Sequence, residues 1–546
     1  SSQFANLASN QVGALSSTQV GTLETADLVA IGSTGLRAWN SGQVGALSTD
    51  GMVALTSVQV GSLLSTQIAG LNSSQIAAIE TGDVRALMTS TLRSFATDQL
   101  NALTTDQMGV LNSAQAAALT TAQINALSTS NLNALTSVAF AAFNSQQTQA
   151  FTTAQVAALQ TADLVAIGSM GIRSWNTAQI EALTSTEIVA LTTAQVEAMT
   201  SVHVQGLTSS QVAAFETNDL RAMVTSALQN LSSDHLNALN SAQMQALSTL
   251  QVTSLTTAQL SNMSTDNLTA MTTAQYAVMN TIQVGALTTG QIANLTTAEA
   301  AALSTTQLGA LSTSQVAALT TADVKALSTA QVAALSTDQV VALTTAQVAN
   351  LTTAQVAALG TAQIGAMETQ DLRALTTGDV AALSTSQVAA LGTSQVAALT
   401  AAQVAAMTTA DVKALSTDQI GALTTAQIAA LTTAQAAALG TDQVSALTTA
   451  QLVAMTTADL KALSTADIAA LSTSQVAALT NAQVANLTTA QVAALTTDQV
   501  GALTTGQIAN LTTAEAAALS TTQLGALSTS QVAALTTADV KALSTT

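Results

Sequence analysis

The side chains best suited to chemistry in this chain of 546 residues are two histidines, His203 and His235, and a scattered set of carboxylates. A metal centre needs several converging ligands, and a covalent mechanism needs a nucleophile beside a base. The chain has no Cys, and nothing around either histidine supplies the remaining ligands. The sequence therefore predicts a protein that is not an enzyme and that holds no metal and no cofactor.

A second pattern places a basic residue two positions after an acidic residue. Residues two apart do not face each other on a helix, so these charges would have to pair between neighbouring repeat units, coils or chains. We expect them mainly to keep the surface solvated, since exposed pairs contribute only about 0–1 kcal/mol. Registry between units or chains is the second hypothesis. The pairs are Asp83 with Arg85, Asp219 with Arg221, Asp323 with Lys325, Asp371 with Arg373, Asp411 with Lys413, Asp459 with Lys461, and Asp539 with Lys541.

These residues are carried by an eight-residue repeat that continues without insertion from Leu7 to Leu543. Position 1 is the apolar residue that opens each octad, so residues 351–358 read Leu-Thr-Thr-Ala-Gln-Val-Ala-Ala. Position 6 is usually Val, Ile or Leu, which gives apolar spacings of five and three. A strand alternates by two, and a continuous helix of about 3.6 residues per turn drifts away from an eight-residue stripe. Neither element fits by itself.

Position 3 resolves this conflict, because it is Ser or Thr in all but two octads. The exceptions are Asn481 and Ala401. Hydroxyl side chains cap helix N-termini. Moreover, 14 of the 29 acidic residues lie at position 5, in the first turn, where negative charge is favourable. We predict a minimal helix in every octad. Position 3 is its N-cap, positions 4 to 8 and the next Leu are helical, and position 2 forms the corner.

A helix this short buries too little apolar surface to be stable alone, so we expect the octads to stack cooperatively. The predicted fold is an all-α solenoid of very short capped helices, one per octad. A β-solenoid with eight-residue coils is the alternative, since Thr and Val favour strands. The Gln column at position 5 predicts a hydrogen-bonding ladder between units. Basic residues recur at intervals of six octads, as from Arg37 to Arg85, which suggests six octads per turn.

We interpret residues 1–546 as a single continuous octapeptide-repeat array. All nine aromatic residues lie in the first part, so residues 1–283 are more divergent and residues 284–546 are nearly homogeneous. Residues 283–329 recur unchanged as 499–545, an offset of 27 octads. Growth by duplication of whole octads is the simplest explanation. We also expect the array to be part of a longer chain.

The net charge of −19 argues against a nucleic-acid partner, whose phosphates attract clustered Lys and Arg. No apolar run approaches the length of a membrane span. The absence of insertions indicates that the corners are packed as well as the core. We therefore predict a structural protein whose partners are copies of itself, forming an extracellular filament, tube or sheath by lateral packing of coils. The alternatives are the stalk of a large cell-surface adhesin and a solenoid that binds a ligand or ice. The sequence makes no prediction about attached glycans.

Two resemblances bear on this prediction. The string Leu-Thr-x-x-Gln-Val-x-Ala is similar to the opening helix of the TAL-effector repeat. The Pro, the second helix and the base-reading pair of that repeat are missing here, so DNA binding is not implied. The acidic, Thr/Ala/Gln-rich octad tract as a whole resembles tracts in giant exported bacterial surface proteins and adhesins. This resemblance implies an extracellular or cell-surface location.

Overall fold

The computed structural model describes residues 2–543 and contains one short α-helix per octad. A 3-10 turn, Phe4–Asn6, precedes the first helix. A helix begins at position 3 of every octad from Ser9 to Thr537, except Gly168–Ser174, which begins one residue earlier. Most helices end at position 7 or 8, as in Thr353–Ala358. The four-residue helices are Ser33–Leu36, Ser41–Val44, Ser65–Ile68, Thr81–Val84, Ser137–Phe140, Thr153–Val156, Thr225–Leu228, Thr289–Ile292, Thr345–Val348 and Asn481–Val484.

The predicted all-α solenoid is confirmed, and the β-solenoid alternative is wrong, since residues 2–543 form no strand. The chain divides into two compact units, Ser1–Met279 and Asn280–Thr546. The prediction of one continuous array stays a prediction.

Both units are built in the same way, because within each unit helices that are three apart along the chain pack on each other. In the second unit, Thr353–Ala358 packs between Thr329–Ala333 and Thr377–Ala381. One coil therefore holds three octads rather than the six octads that the basic residues suggested. The interval between the basic residues spans two coils.

The apolar core consists of positions 1 and 6. Val356 is fully buried and Leu359 is 3% exposed, and the same pair repeats through both units. In the first unit the core also takes large rings. The rings of Phe140, Phe143 and Phe151 meet edge to face, with centroids 5.6–6.3 Å apart. The indole of Trp175 donates from Nε1 to the carbonyl of Thr148, one coil earlier, at 3.0 Å. Stacking of coils thus supplies the burial that one octad lacks.

The N-cap lies at position 2, which corrects the prediction of position 3. The Thr352 hydroxyl accepts the backbone N–H of Gln355 at 3.3 Å, and Gln355 Oε1 accepts the backbone N–H of Thr352 at 2.7 Å. This reciprocal capping box links a residue to the third residue after it, so a Gln at position 5 places the cap at position 2. The following Leu359 is extended, with φ −62° and ψ 140°, and is not helical. Positions 1 and 2 together form the corner.

Candidate functional site: a buried polar row

The most distinctive polar feature of the coil is the side chain at position 5. Gln355 is 1% exposed, although its side chain ends in a polar amide group. Its Oε1 accepts the cap N–H of its own helix, while its Nε2 donates to the carbonyls of Leu327 and Val324 at 2.7 and 2.9 Å. These carbonyls lie at the end of a helix in the preceding coil. We call this arrangement the glutamine bridge: a position-5 Gln that binds its own cap N–H and the backbone carbonyls of positions 1 and 6 in the preceding coil.

The glutamine bridge repeats in both units with little variation. In the first unit, Gln155 Oε1 accepts the Thr152 N–H at 2.8 Å, and its Nε2 donates to Leu127 O and Ile124 O at 2.8 and 2.7 Å. The predicted Gln ladder is therefore confirmed, and the units that it joins are successive coils.

The need for such a bridge follows from the length of the helices. The first four N–H groups and the last four carbonyls of any helix lack partners inside it. A helix of four to seven residues consists almost entirely of such groups. Buried polar groups without partners cost about 1–3 kcal/mol each. One amide side chain satisfies the start of one helix and the end of another, which allows these short helices to persist.

Carboxylates replace Gln at position 5 in some octads and are bound differently. Asp379, which is 2% exposed, accepts the Thr376 N–H at 2.9 Å and the Thr376 hydroxyl at 2.7 Å through Oδ2. Its Oδ1 accepts the Thr353 hydroxyl from the preceding coil at 2.8 Å. A carboxyl group has no N–H to donate, and a position-3 hydroxyl supplies the bond between coils instead. The same hydroxyl bond joins Ser57 to Asp83, Ser137 to Asp163, Thr345 to Asp371, Thr433 to Asp459, and Thr441 to Asp467.

Burial raises the pKa of three aspartates at position 5. Burial raises the pKa of Asp163, and the Ser137 hydroxyl partly offsets the effect. Burial also raises the pKa of Asp219 and of Asp371, and the cap-position glutamates Glu216 and Glu368 raise them further. Desolvation disfavours the charged form of an acid. For these three acids burial is the largest cause of the shift.

The acidic and basic members of the Asp-x-Lys/Arg pairs are placed differently. The acidic members are at most 4% exposed, whereas the basic members at position 7 are exposed. Arg221, for example, donates from Nε to the carbonyl of Ala246 in the next coil at 3.2 Å. Within residues 2–543, no nitrogen of a basic member lies within 4.0 Å of the carboxylate of its own pair. Registry between chains stays a prediction, and only the basic members are placed to face another molecule.

The two histidines occupy the row as substitutes for Gln. Nδ1 of His203 accepts the Thr200 N–H at 3.2 Å, and its Nε2 lies 2.9 Å from the carbonyl of Trp175 in the preceding coil. The neutral ring with a proton on Nε2 makes both bonds of a glutamine bridge. Burial lowers the pKa of His203 and of His235. The part of the chain that the structure describes contains no group of three or more His, Asp or Glu side chains that could hold a metal ion.

Sequence reasoning identifies the Gln row but misses two of its components. The position-3 hydroxyls are not the caps, and several of them bind acids in the next coil instead. The signal that could have located the cap is the spacing of Thr352 and Gln355, which is that of a capping box.

Over residues 2–543, none of the helices reaches the length and hydrophobicity of a membrane span.

An all-α solenoid with three octads per coil, closed by a buried polar row, defines the class as an octapeptide-repeat solenoid. The segment Ala342–Gln347 spells its core motif, Ala-Leu-Thr-Thr-Ala-Gln, which covers positions 8 and 1 to 5. The chain belongs to the ALTTAQ repeat family, whose model matches well over half of it. The matched segments are 20–57, 76–113, 156–193, 212–249, 263–297, 316–353, 342–368, 364–401, 398–433, 425–457, 452–489, 484–513 and 516–545. No curated protein matches the chain.

Proposed function

We propose that the chain is a structural protein that assembles with copies of itself into an extracellular filament, tube or sheath. The observation that carries this proposal is the combination of an unbroken octad array with a buried polar row that bonds each coil to the one before it. Each glutamine bridge joins one coil to the previous coil, so an insertion at any corner would break the bond. Such uniformity suits a protein whose role is to present one surface many times.

The outer surface supports lateral packing of chains. Positions 3, 4 and 7 are mostly exposed and carry chiefly Ser, Thr, Ala and Gly, so two solenoids can approach closely. The few exposed charges are of both signs, with Lys413 and Lys461 at position 7 and Asp418 and Asp442 at position 4. Opposite charges across a lateral contact would set the register of neighbouring chains.

Imaging of the assembly tests this proposal. Purified chain examined by negative-stain electron microscopy and by sedimentation velocity, near physiological ionic strength, is expected to form ordered fibres or sheets with a regular repeat. Single particles at every concentration would contradict the proposal and favour the alternative role, the stalk of a surface adhesin. Selective retention on glycans or ice would instead favour a ligand-binding solenoid.

A charge variant tests the role of the basic residues in register. In the double variant Lys413→Ala and Lys461→Ala, the coils keep their interior bonds, so the circular dichroism spectrum is expected to stay unchanged while ordered assembly is lost. Asn350→Ala, an exposed change with no change of charge, is the control. Antibody labelling of intact cells tests the proposed surface location, and labelling only after lysis would contradict it.

A further inference from the structure

Glu187 lies at a position in the polar row where the usual donor is missing. It stands at position 5 of the octad whose helix is Ser185–Ala190, and it is 3% exposed. Its Oε2 accepts the backbone N–H of Thr184 at 2.6 Å. Its other oxygen, Oε1, is buried and has no hydrogen-bond partner. An orphaned buried polar atom of this kind calls for an explanation.

The neighbouring glutamine bridges show what belongs at that point. In the next octad, Gln195 Oε1 accepts the Thr192 N–H at 2.9 Å, and its Nε2 donates to the carbonyl of Leu164 in the preceding coil at 2.7 Å. The Nε2 of Gln211 likewise donates to the carbonyl of Leu183, at position 1 of the preceding coil, at 2.7 Å. Glu has the length and shape of Gln, and Glu187 binds its cap in the same way. In the register of these bridges, the donor binds a carbonyl 28 residues earlier, which for Glu187 is that of Leu159. Oε1 would thus take the place of Nε2, and two acceptors would meet where an N–H usually lies.

We propose that Glu187 is a proton-binding site of the folded coil. In its protonated, neutral form the Oε1–H donates to the carbonyl of Leu159 in the preceding coil. The proton thus restores the donor that Gln carries permanently. A metal ion is a poorer occupant, because metal–oxygen distances of about 2.4 Å would force the two oxygens apart.

The surroundings of Glu187 favour the neutral form. Two helices near Glu187 carry no titratable side chain. They are Ser209–Ala214, which packs on the helix of Glu187, and Thr153–Val156, which precedes Leu159. The other packed or adjoining helices contribute only acids: Asp163, Glu181 and Glu197. No cation on these helices stabilises an ionised Glu187, and burial raises its pKa above the ordinary value of 4.5 despite the opposing bonds from Thr184.

The sign of the pH effect follows from this direction. A group whose pKa is higher in the folded state binds its proton more tightly there. Its stabilising contribution is complete below about pH 4.5 and is lost as the pH rises through the folded pKa. The coil around Glu187 is therefore expected to be held most tightly at acidic pH and to loosen as the carboxyl ionises.

The test compares Glu187→Gln with the wild-type chain by hydrogen exchange, following amides of residues 153–191 between about pH 4 and pH 7 after correction for intrinsic rates. Wild-type protection should fall about tenfold for each unit by which the folded pKa exceeds 4.5. Glu187→Gln should lose this fall and keep only the smaller pH dependence that Asp163, whose pKa burial also raises, contributes. Glu197→Gln, an exposed change of the same chemistry, is the matched control and should follow the wild type. Identical profiles for Glu187→Gln and the wild type would overturn the proposal.

A second measurement does not depend on any variant. The chain has nine Glu residues, so selective 13C labelling of their carboxyl carbons gives a resolvable titration. The carboxyls of Glu187 and Glu299, whose pKa values burial raises, are expected to keep the chemical shift of a protonated acid above the ordinary pKa of 4.5, and assignment should place one of these signals at Glu187. If the assigned carboxyl carbon of Glu187 ionises together with those of the exposed glutamates near the ordinary pKa, Glu187 is not a proton-binding site.

Discussion

Replacement of one Gln in the polar row by Ala is the most direct test of the glutamine bridge. Gln355→Ala removes the acceptor of the Thr352 N–H, at 2.7 Å, and the donor to Leu327 O, at 2.7 Å. The carbonyl of Val324 also loses the amide but keeps its bond from the N–H of Leu327 at 3.3 Å. The Gln355 side chain is 1% exposed, so two backbone groups, the N–H of Thr352 and the carbonyl of Leu327, are left without these partners. The part-buried carbonyl of Lys325 also loses a longer bond, at 3.3 Å.

The expected cost follows from these two groups. A buried donor or acceptor without a partner costs about 1–3 kcal/mol. Thr352 is half-buried, so water reaches its N–H more easily than it reaches the Leu327 carbonyl, and the cost lies toward the low end. We expect the variant to lower the local free energy of unfolding by about 2–4 kcal/mol.

Hydrogen exchange followed by mass spectrometry is the suitable assay, because repeat arrays open locally and a global midpoint would average the effect. The loss of protection should centre on residues 321–381 and fade within a coil or two. Gln370→Ala makes the same chemical change at an exposed position of the same unit and should stay within about 0.5 kcal/mol of the wild type. If Gln355→Ala is no more destabilising than Gln370→Ala, the bridge does not hold the coils together.

Two further predictions test other parts of the coil. Gly70→Ala should destabilise the first unit by about 1–3 kcal/mol, because the added Cβ would lie 2.0 Å from the carbonyl oxygen of Ser41 in the preceding coil. The control is Gly82→Ala, whose added Cβ would have open space around it. In thermal melts this control should be neutral or slightly stabilising. The pKa of His203 is lowered by burial, so the neutral ring stabilises the coil above about pH 6.5 and that contribution is lost as the pH falls through the lowered folded pKa. Local exchange around residues 200–206 should therefore rise with acid in the wild type but stay constant in His203→Gln, and equal acid sensitivity in both would show that the ring does not act as a bridge.

The octad pattern was sufficient to predict the solenoid, because period and composition together excluded both a strand and a long helix. The position of the cap could not be predicted in the same way. Position 3 is almost uniformly Ser or Thr, whereas position 2 includes residues such as Leu64. Leu64 has no capping side chain, yet its N–H still donates to Gln67 Oε1 at 2.8 Å. The cap is therefore fixed by the Gln that follows it and by coil packing, and not by the residue that occupies it.

The contacts between coils were also beyond the sequence. All octads are alike, so a period of three octads is not visible in the sequence. The basic residues recur every six octads, which is the length of two coils. The ladder of Gln side chains was predictable from the repeated position 5, but its acceptors were not. They are backbone carbonyls of the preceding coil, such as those of Leu327 and Val324, which carry no sequence signature. The same holds for the hydroxyl of Thr353, whose partner Asp379 becomes visible only when successive coils are superposed.

The three-octad coil has a mechanical consequence. Each helix packs on the coil before it and the coil after it, so tension on the ends of a unit loosens one coil without disturbing distant ones. Each coil that opens releases three octads, which together extend to about 80 Å at roughly 3.4 Å per residue. A stretched unit would therefore lengthen in many small, similar steps and dissipate work at each of them. On release, each coil re-forms on a neighbour that is still folded and needs no new nucleus.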